Sequence, residues 1–244
     1  MQKQIQFVSI IVFCCFLASP IHAIHLGANS INLPGTSLVD QPEFFISHRF
    51  YGDIDDKPFE NFFGIDSGAN TTIGFGLRIN DKFDSTILRS PLDKEYYISC
   101  KYQANAGMSL LAAVSSKTAP YSISNRTSNI FQVIYEKEIK KDLLYLGFVP
   151  TYVSTQTFDP TIAFGASIGF LVIPELEALV EYIPTLSGNK LAYPAFSVGI
   201  KIITWGHYFA LMLSNTPQTL PNGYVLGSAD NKFHFGFNLI RRFF

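Results

Sequence analysis

Eight charged residues lie in stretches that otherwise alternate bulky apolar with small or polar side chains: Arg49, Arg78, Arg89, Glu95, Lys101, Glu177, Glu181 and Lys201. In an extended chain that alternation turns them toward the small, polar face. Charge on such a face is stable only when solvated or paired, so the chemistry these residues offer is electrostatic. If 175–183 and 195–203 form a hairpin in register, Glu177 meets Lys201, and Arg89 can face Glu95 in the same way. Such ladders either line a polar path or neutralise and close a narrow interior.

Covalent chemistry has less to work with. A nucleophilic serine needs a histidine on its own face to take its proton, and that histidine needs an acid or amide to orient it. None of His25, His48, His207 and His234 has a serine two positions on, and Ser47, adjacent to His48, falls on the opposite face. No catalytic residue is assigned, and a lipid hydrolase working at a membrane surface is kept as the enzyme alternative. The same histidines form no i, i+2 or i, i+4 pair, so they read as hydrogen-bonding groups at a rim or in an interior, and neither a metal nor another cofactor is expected. Asp53, Asp55 and Asp56 lack the further oxygen ligands of a calcium loop and read as a solvated acidic turn.

The elements that must carry these charges are strands. The clearest is the last: Phe233, Phe235, Phe237 and Leu239 alternate with His234, Gly236 and Asn238, and the sequence runs on to Phe243 and Phe244. A strand of this kind looks like the closing strand of a bacterial outer-membrane barrel, with Phe237, Leu239, Phe243 and Phe244 as the signal for the barrel-assembly machinery. In 69–79, Ile73, Phe75 and Leu77 oppose Thr72, Gly74 and Gly76, and 195–203 divides the same way. A lone soluble sheet would need a second layer over its apolar side, whereas in a membrane barrel that side meets acyl chains.

About twelve such segments run from Glu43 to Phe243. Brief joins at 80–81, 105–107, 139–142, 173–174 and 204–206 mostly alternate with long ones at 52–68, 116–128, 184–194 and 215–232. The reading is all-β: an antiparallel up-and-down transmembrane β-barrel of about twelve strands, both termini periplasmic, four longer loops extracellular. Pro150 removes a ladder donor and predicts a bulge or a break in the seventh strand. Arg241 and Arg242, being adjacent, predict that alternation slips at the end of the last strand, with both side chains at the periplasmic rim.

Hydrophobic residues make up 48 % of the 244, which raises the question of membrane helices. The most apolar region, 143–174, is interrupted by Pro150, Asp159 and Pro160, so no mature segment reaches the roughly 18 uninterrupted apolar residues a spanning helix needs. Met1–Ala23 has Lys3, an apolar run from Phe7 to Leu17, and Ile21-His22-Ala23 at its end, the pattern of an export signal. Residues 24–41 read as a periplasmic lead-in or an insert into the lumen, and 42–244 as the barrel. Cys14 and Cys15 leave with the signal, so Cys100 has no partner for an internal disulfide. A net charge of −1 gives no basic footprint for nucleic acid. The location is the outer membrane of a Gram-negative bacterium, in contact with its lipid, and a monomer is expected.

An ordered set of short motifs completes the sequence reading. His48-Arg49-Phe50, Phe63-Gly64-Ile65-Asp66 with Ala69-Asn70, Arg89 ahead of Lys94-Glu95-Tyr96 and Lys101-Tyr102, Glu181-Tyr182, Thr204-Trp205-Gly206-His207 and Gly236-Phe237-Asn238-Leu239 resemble an outer-membrane β-barrel family known as a domain of unknown function. Trp205 stands where that family tends to have a second glycine. The resemblance implies an outer-membrane barrel and supplies no substrate. The expected function is narrow passive or ligand-selective passage of a small-molecule cargo, with Arg78, Lys101, Glu177, Glu181 and Lys201 setting selectivity. A closed structural or surface-binding barrel, acting through 52–68 and 215–232, is the alternative.

Overall fold

The computed structural model describes residues 30–54, 59–118, 126–155, 159–204 and 206–243. The expected export signal, His25, Asp55, Asp56, Trp205 and Phe244 lie outside them. Strands β1 (Glu43–Asp53), β2 (Ala69–Asn80), β3 (Phe83–Ser90), β4 (Glu95–Asn105), β5 (Met108–Lys117), β6 (Arg126–Lys140), β7 (Leu144–Thr155), β8 (Thr161–Ile173) and β9 (Leu176–Ile183) pair in chain order. After the short β10 (Thr185–Ser187) come β11 (Ala195–Thr204), β12 (His207–Ser214) and β13 (His234–Arg242). β11 pairs with β9, and β13 pairs with both β12 and β1, so twelve antiparallel strands close on themselves and β10 is an extra strand beside β8. Closure matters energetically because every barrel strand finds a partner on both sides and no row of unpaired N–H and C=O groups meets hydrocarbon. No helix among the described residues is long and apolar enough to cross a membrane; the crossing is made by strands.

Side chains divide as the alternation requires. Ile73, Phe75 and Leu77 on β2, Ile87 on β3 and Ile98 on β4 are each about half exposed on the outer face, while Asn70, Thr72, Asp84 and Ser99 between them are buried inside. The long joins gather at one end of the barrel, hereafter the loop end, and the brief ones at the other, the turn end.

Two expected irregularities do not occur. β7 runs unbroken through Pro150, whose Cα faces Phe164 of β8. Against β6 the pairing lapses between Gln132–Thr151 and Tyr135–Phe148 but resumes at the same offset, so the missing N–H costs a local piece of ladder without shifting the register. Nor does alternation slip in β13. Arg241 lies outside against the Phe243 ring, and Arg242 turns inward to Glu43, Nε to Oε1 2.8 Å. Arg242 was expected at the rim; a buried carboxylate in reach draws it inside.

The lumen is filled by two segments of the chain. Residues 30–41 run along the wall toward the start of β1, and 215–228 fold in from the loop end with a single helical turn, α1 (Pro221–Tyr224). Leu33 from the first and Leu220, Tyr224 and Val225 from the second pack with wall residues such as Ile130, Val149 and Ala163 into one apolar cluster. Small wall residues make this room: a Cβ on Gly165 would meet Leu33 Cδ2 at 2.5 Å.

Candidate functional site in the barrel interior

The inner face of β9 places Glu181, fully buried, opposite Ser197 on one side and Ser167 on the other. Its carboxylate accepts from the backbone N–H groups of Ile31 (3.1 Å), Asn32 (2.9 Å) and Leu33 (2.9 Å) and from the Asn32 side-chain amide (2.8 Å). Asn32 Oδ1 in turn accepts from Arg49 Nη2 at 2.9 Å, and Arg49 Nη1 donates to Asn238 Oδ1 (3.0 Å), whose amide nitrogen donates to Ile31 O (2.8 Å). Arg49 fits because its cross-strand neighbour is Gly236, where a Cβ would lie 2.7 Å from Arg49 Cδ. Glu181 and Arg49, expected as lumen charges, thus clasp one segment between them.

The same principle repeats toward the turn end. Glu136 accepts from Thr36 N and Oγ1 at 2.6 and 2.7 Å, Asp84 accepts from Val39 N at 2.9 Å, and Lys101 donates to Ser37 O at 2.5 Å. At the loop end Glu95 on β4 accepts from the Ser115 hydroxyl and from Asn222 Nδ2 (2.6 Å) in α1, and lies 3.4 Å from Lys117. Asn70 donates to Pro217 O at 2.9 Å. Inward polar groups therefore bind main chain and amides of the two internal segments. Such fixed partners replace water for backbone groups held inside a barrel.

The Glu177–Lys201 pair stands as expected, opposite each other with Oε2 and Nζ 2.5 Å apart. Arg78 has inward parity but sits near the turn-end rim, a third exposed, 3.2 Å from Asp40. Arg89 is a correction. It shares the outward face with Ile87, its guanidinium carbon lies 4.7 Å from the Tyr96 ring centre, and its cross-strand neighbour is Tyr96. Glu95 faces Ser90 instead, because the β3–β4 register is one residue from the expected one, and a one-residue offset exchanges faces. Asp84, Glu43, Glu136 and Arg242 are inward groups the sequence reading missed. The signal for Asp84 was present: it shares parity with Thr86 and faces Lys101 directly, with Oδ2 and Nζ 3.3 Å apart.

The histidines take different places. His207 Nε2 lies 2.6 Å from Arg241 Nη1 at the turn end, and His234 Nδ1 lies 3.2 Å from Gly52 O at the loop end. His48 departs from the expected rim or lumen role: its ring stacks on Phe237 (4.9 Å, 6°) on the outer face, with Ser47 opposite. Among the described residues no three His, Cys, Asp or Glu side chains come together to hold a metal.

The internal segments leave a chamber of about 250 Å3 lined by residues of β1–β6 and β11–β13. Leu220, Pro221 and Tyr224 line it toward the loop end, and Glu43 with Arg242 toward the turn end.

With this geometry in view, comparison with known proteins is decisive for the family. The model of the Membrane bound beta barrel domain (DUF5777) family matches residues 27–243. The chain belongs to this family. No curated protein matches it. Among solved structures, the KdgM porin aligns with 8 % identity and a TM-score of 0.51 over 83 % of this chain and 99 % of its own. An outer membrane channel from Pseudomonas putida F1 aligns with 12 % identity and a TM-score of 0.51 over 90 % and 100 %. A bacterial polysaccharide outer membrane secretin aligns with 11 % identity and a TM-score of 0.50 over 85 % and 100 %. At these identities the likeness is one of fold. This family member is a membrane-bound β-barrel of outer-membrane type.

Proposed function

We propose that this barrel gives ligand-selective passage to a small molecule across the outer membrane of a Gram-negative bacterium, and that its two internal segments close the path at rest. The observation that carries this reading is the chamber: the segments fill much of the lumen yet leave about 250 Å3 among residues of nine wall strands, with Leu220 on its loop-end side and Glu43 with Arg242 on its turn-end side. A segment tied by polar contacts to carboxylates and amides can be exchanged for water without tearing the strand ladder. Residues 1–23 would export the chain, and the Phe-rich final strand would present it to the assembly machinery as a monomer. Of the five charges expected to set selectivity, Lys101 and Lys201 border the chamber, so selectivity is assigned to them.

Planar-bilayer recording tests this. The intact barrel should give rare openings of small conductance; a variant lacking residues 30–37, or Glu181→Gln if that variant fails to insert, should open more often, and Lys201→Glu should change ion preference. Silence from both the intact and the released barrels overturns passage. It would favour the second reading, a closed barrel binding partners through 52–68, where Phe59 (89 %), Phe62 (59 %) and Phe63 (40 %) are exposed. Residues 215–228 give that second reading no support, since most of them are buried inside.

A further inference from the structure

On the outer face of the wall, the row of side chains just below the turn at 91–94 is polar, although the next row is apolar. Arg89 of β3 faces Tyr96 of β4, Tyr96 faces Ser116 of β5, and Ser116 faces Thr127 of β6. All four point away from the lumen, because Ser90, Glu95, Ser115 and Ser128 beside them are buried inside. The next outward row holds Ile87, Ile98 and Val114, each about half exposed, and Ile73 of β2 borders Arg89 on its other side. Cross-strand neighbours lie about 5 Å apart, so the polar row is a ribbon of hydrogen-bond donors at the loop-end border of an apolar surface.

The charge in that row has no counter-charge in the protein. Arg89 Nη1 donates to Ser90 O, the guanidinium carbon lies 4.7 Å from the centre of the Tyr96 ring, and among the described residues no carboxylate pairs with it. Asp93, the acid of the same turn, lies 3.3 Å from Lys117 instead. Arg241, the outward arginine at the turn end, differs, since its Nη1 is engaged with His207 Nε2 at 2.6 Å. A cation on a lipid-facing surface is costly in hydrocarbon and stable where it meets water or an anion at the membrane border. The surrounding surface already meets lipid, so a lipid can supply that anion and lay its acyl chains over Ile73, Ile87, Ile98 and Val114. Phosphate matches the donors. With Nη1 engaged, Nε and Nη2 of Arg89 remain for two of its oxygens, and hydroxyls on the same row can donate to the others.

We propose that Arg89, Tyr96, Ser116 and Thr127 form a binding site for the phosphate headgroup of an anionic lipid in the leaflet at the loop end. The site lies on the outside of the wall and is independent of passage through the lumen. Native mass spectrometry of the processed barrel released from detergent tests it, with dioleoyl phosphatidic acid as the probe and dioleoylglycerol, which lacks the phosphate, as the control. One phosphatidic acid should stay bound under conditions that shed dioleoylglycerol. Arg89→Gln should weaken that binding about tenfold, the loss expected for a charge-assisted hydrogen bond, and Arg241→Gln should leave it unchanged. Should Arg89→Gln fail to fold, Ser116→Asp, which sets a charge of the phosphate's own sign in the row, must remove the bound lipid. Equal retention of dioleoylglycerol, an equal loss in Arg241→Gln, or binding untouched by both Arg89→Gln and Ser116→Asp overturns the site. Displacement of the lipid by equimolar inorganic phosphate would assign the row to the free ion and overturn the lipid.

Discussion

Glu181 faces three consecutive backbone N–H groups and an amide from one short segment, which is why its negative charge can be buried at all. Hydrogen bonds to a charged acceptor contribute about 1.5–3 kcal/mol each, so the segment is held by this one carboxylate more than by any apolar contact. In Glu181→Gln one oxygen becomes an NH2 that points a donor at donors. Amide exchange at 31–33 should then accelerate at least tenfold while the strand ladder stays protected; unchanged exchange there would show that Leu33 packing holds the segment. Glu177 and Lys201 obey a different rule. Removing one partner leaves a buried charge alone and costs about 3–5 kcal/mol, whereas removing both does not. Lys201→Met should lower stability in urea titration by that order, and Lys201→Met with Glu177→Leu should recover most of the loss, a non-additivity typical of touching residues.

At the scale of elements, the strand faces were readable because alternation is a property of the extended chain, and twelve segments with long and brief joins gave the barrel its order. Register was not readable to the same degree. Arg89 and Glu95 were matched across β3 and β4, but the turn at 91–94 sets Arg89 against Tyr96 and so places the guanidinium outside. Glycine placement shows how elements accommodate each other. A Cβ on Gly236 would lie 2.6 Å from His48 O, a backbone atom of β1, while one on Gly165 meets only the tip of Leu33. Gly236→Ala should therefore destabilise the barrel by about 1–3 kcal/mol through overpacking, and Gly165→Ala by less. Equal effects in a detergent unfolding series would mean that β1 and β13 shift apart freely.

For the whole molecule, closure turns the usual arrangement of a soluble protein inside out: apolar side chains such as Ile98, 54 % exposed, face lipid, and the interior carries paired charge and two folded-in segments. Ile98→Arg should cost about 2–4 kcal/mol if it lies near mid-membrane, read as lost yield of the heat-modifiable folded band, whereas Ile98→Leu should be silent. An unaffected Arg variant would place that strand outside the hydrocarbon.

The sequence alone determined the strands, their two faces, the long and short joins and hence a membrane barrel, because each depends on near neighbours in the chain and on the need to pair every backbone group away from water. Only the tertiary structure decided what fills the lumen. That Glu181 holds Ile31, Glu95 holds Asn222 and Arg242 finds Glu43 are matches across 150, 127 and 199 positions of chain. A carboxylate's inward direction is written locally, but its partner is chosen by which segment closure brings within three ångströms.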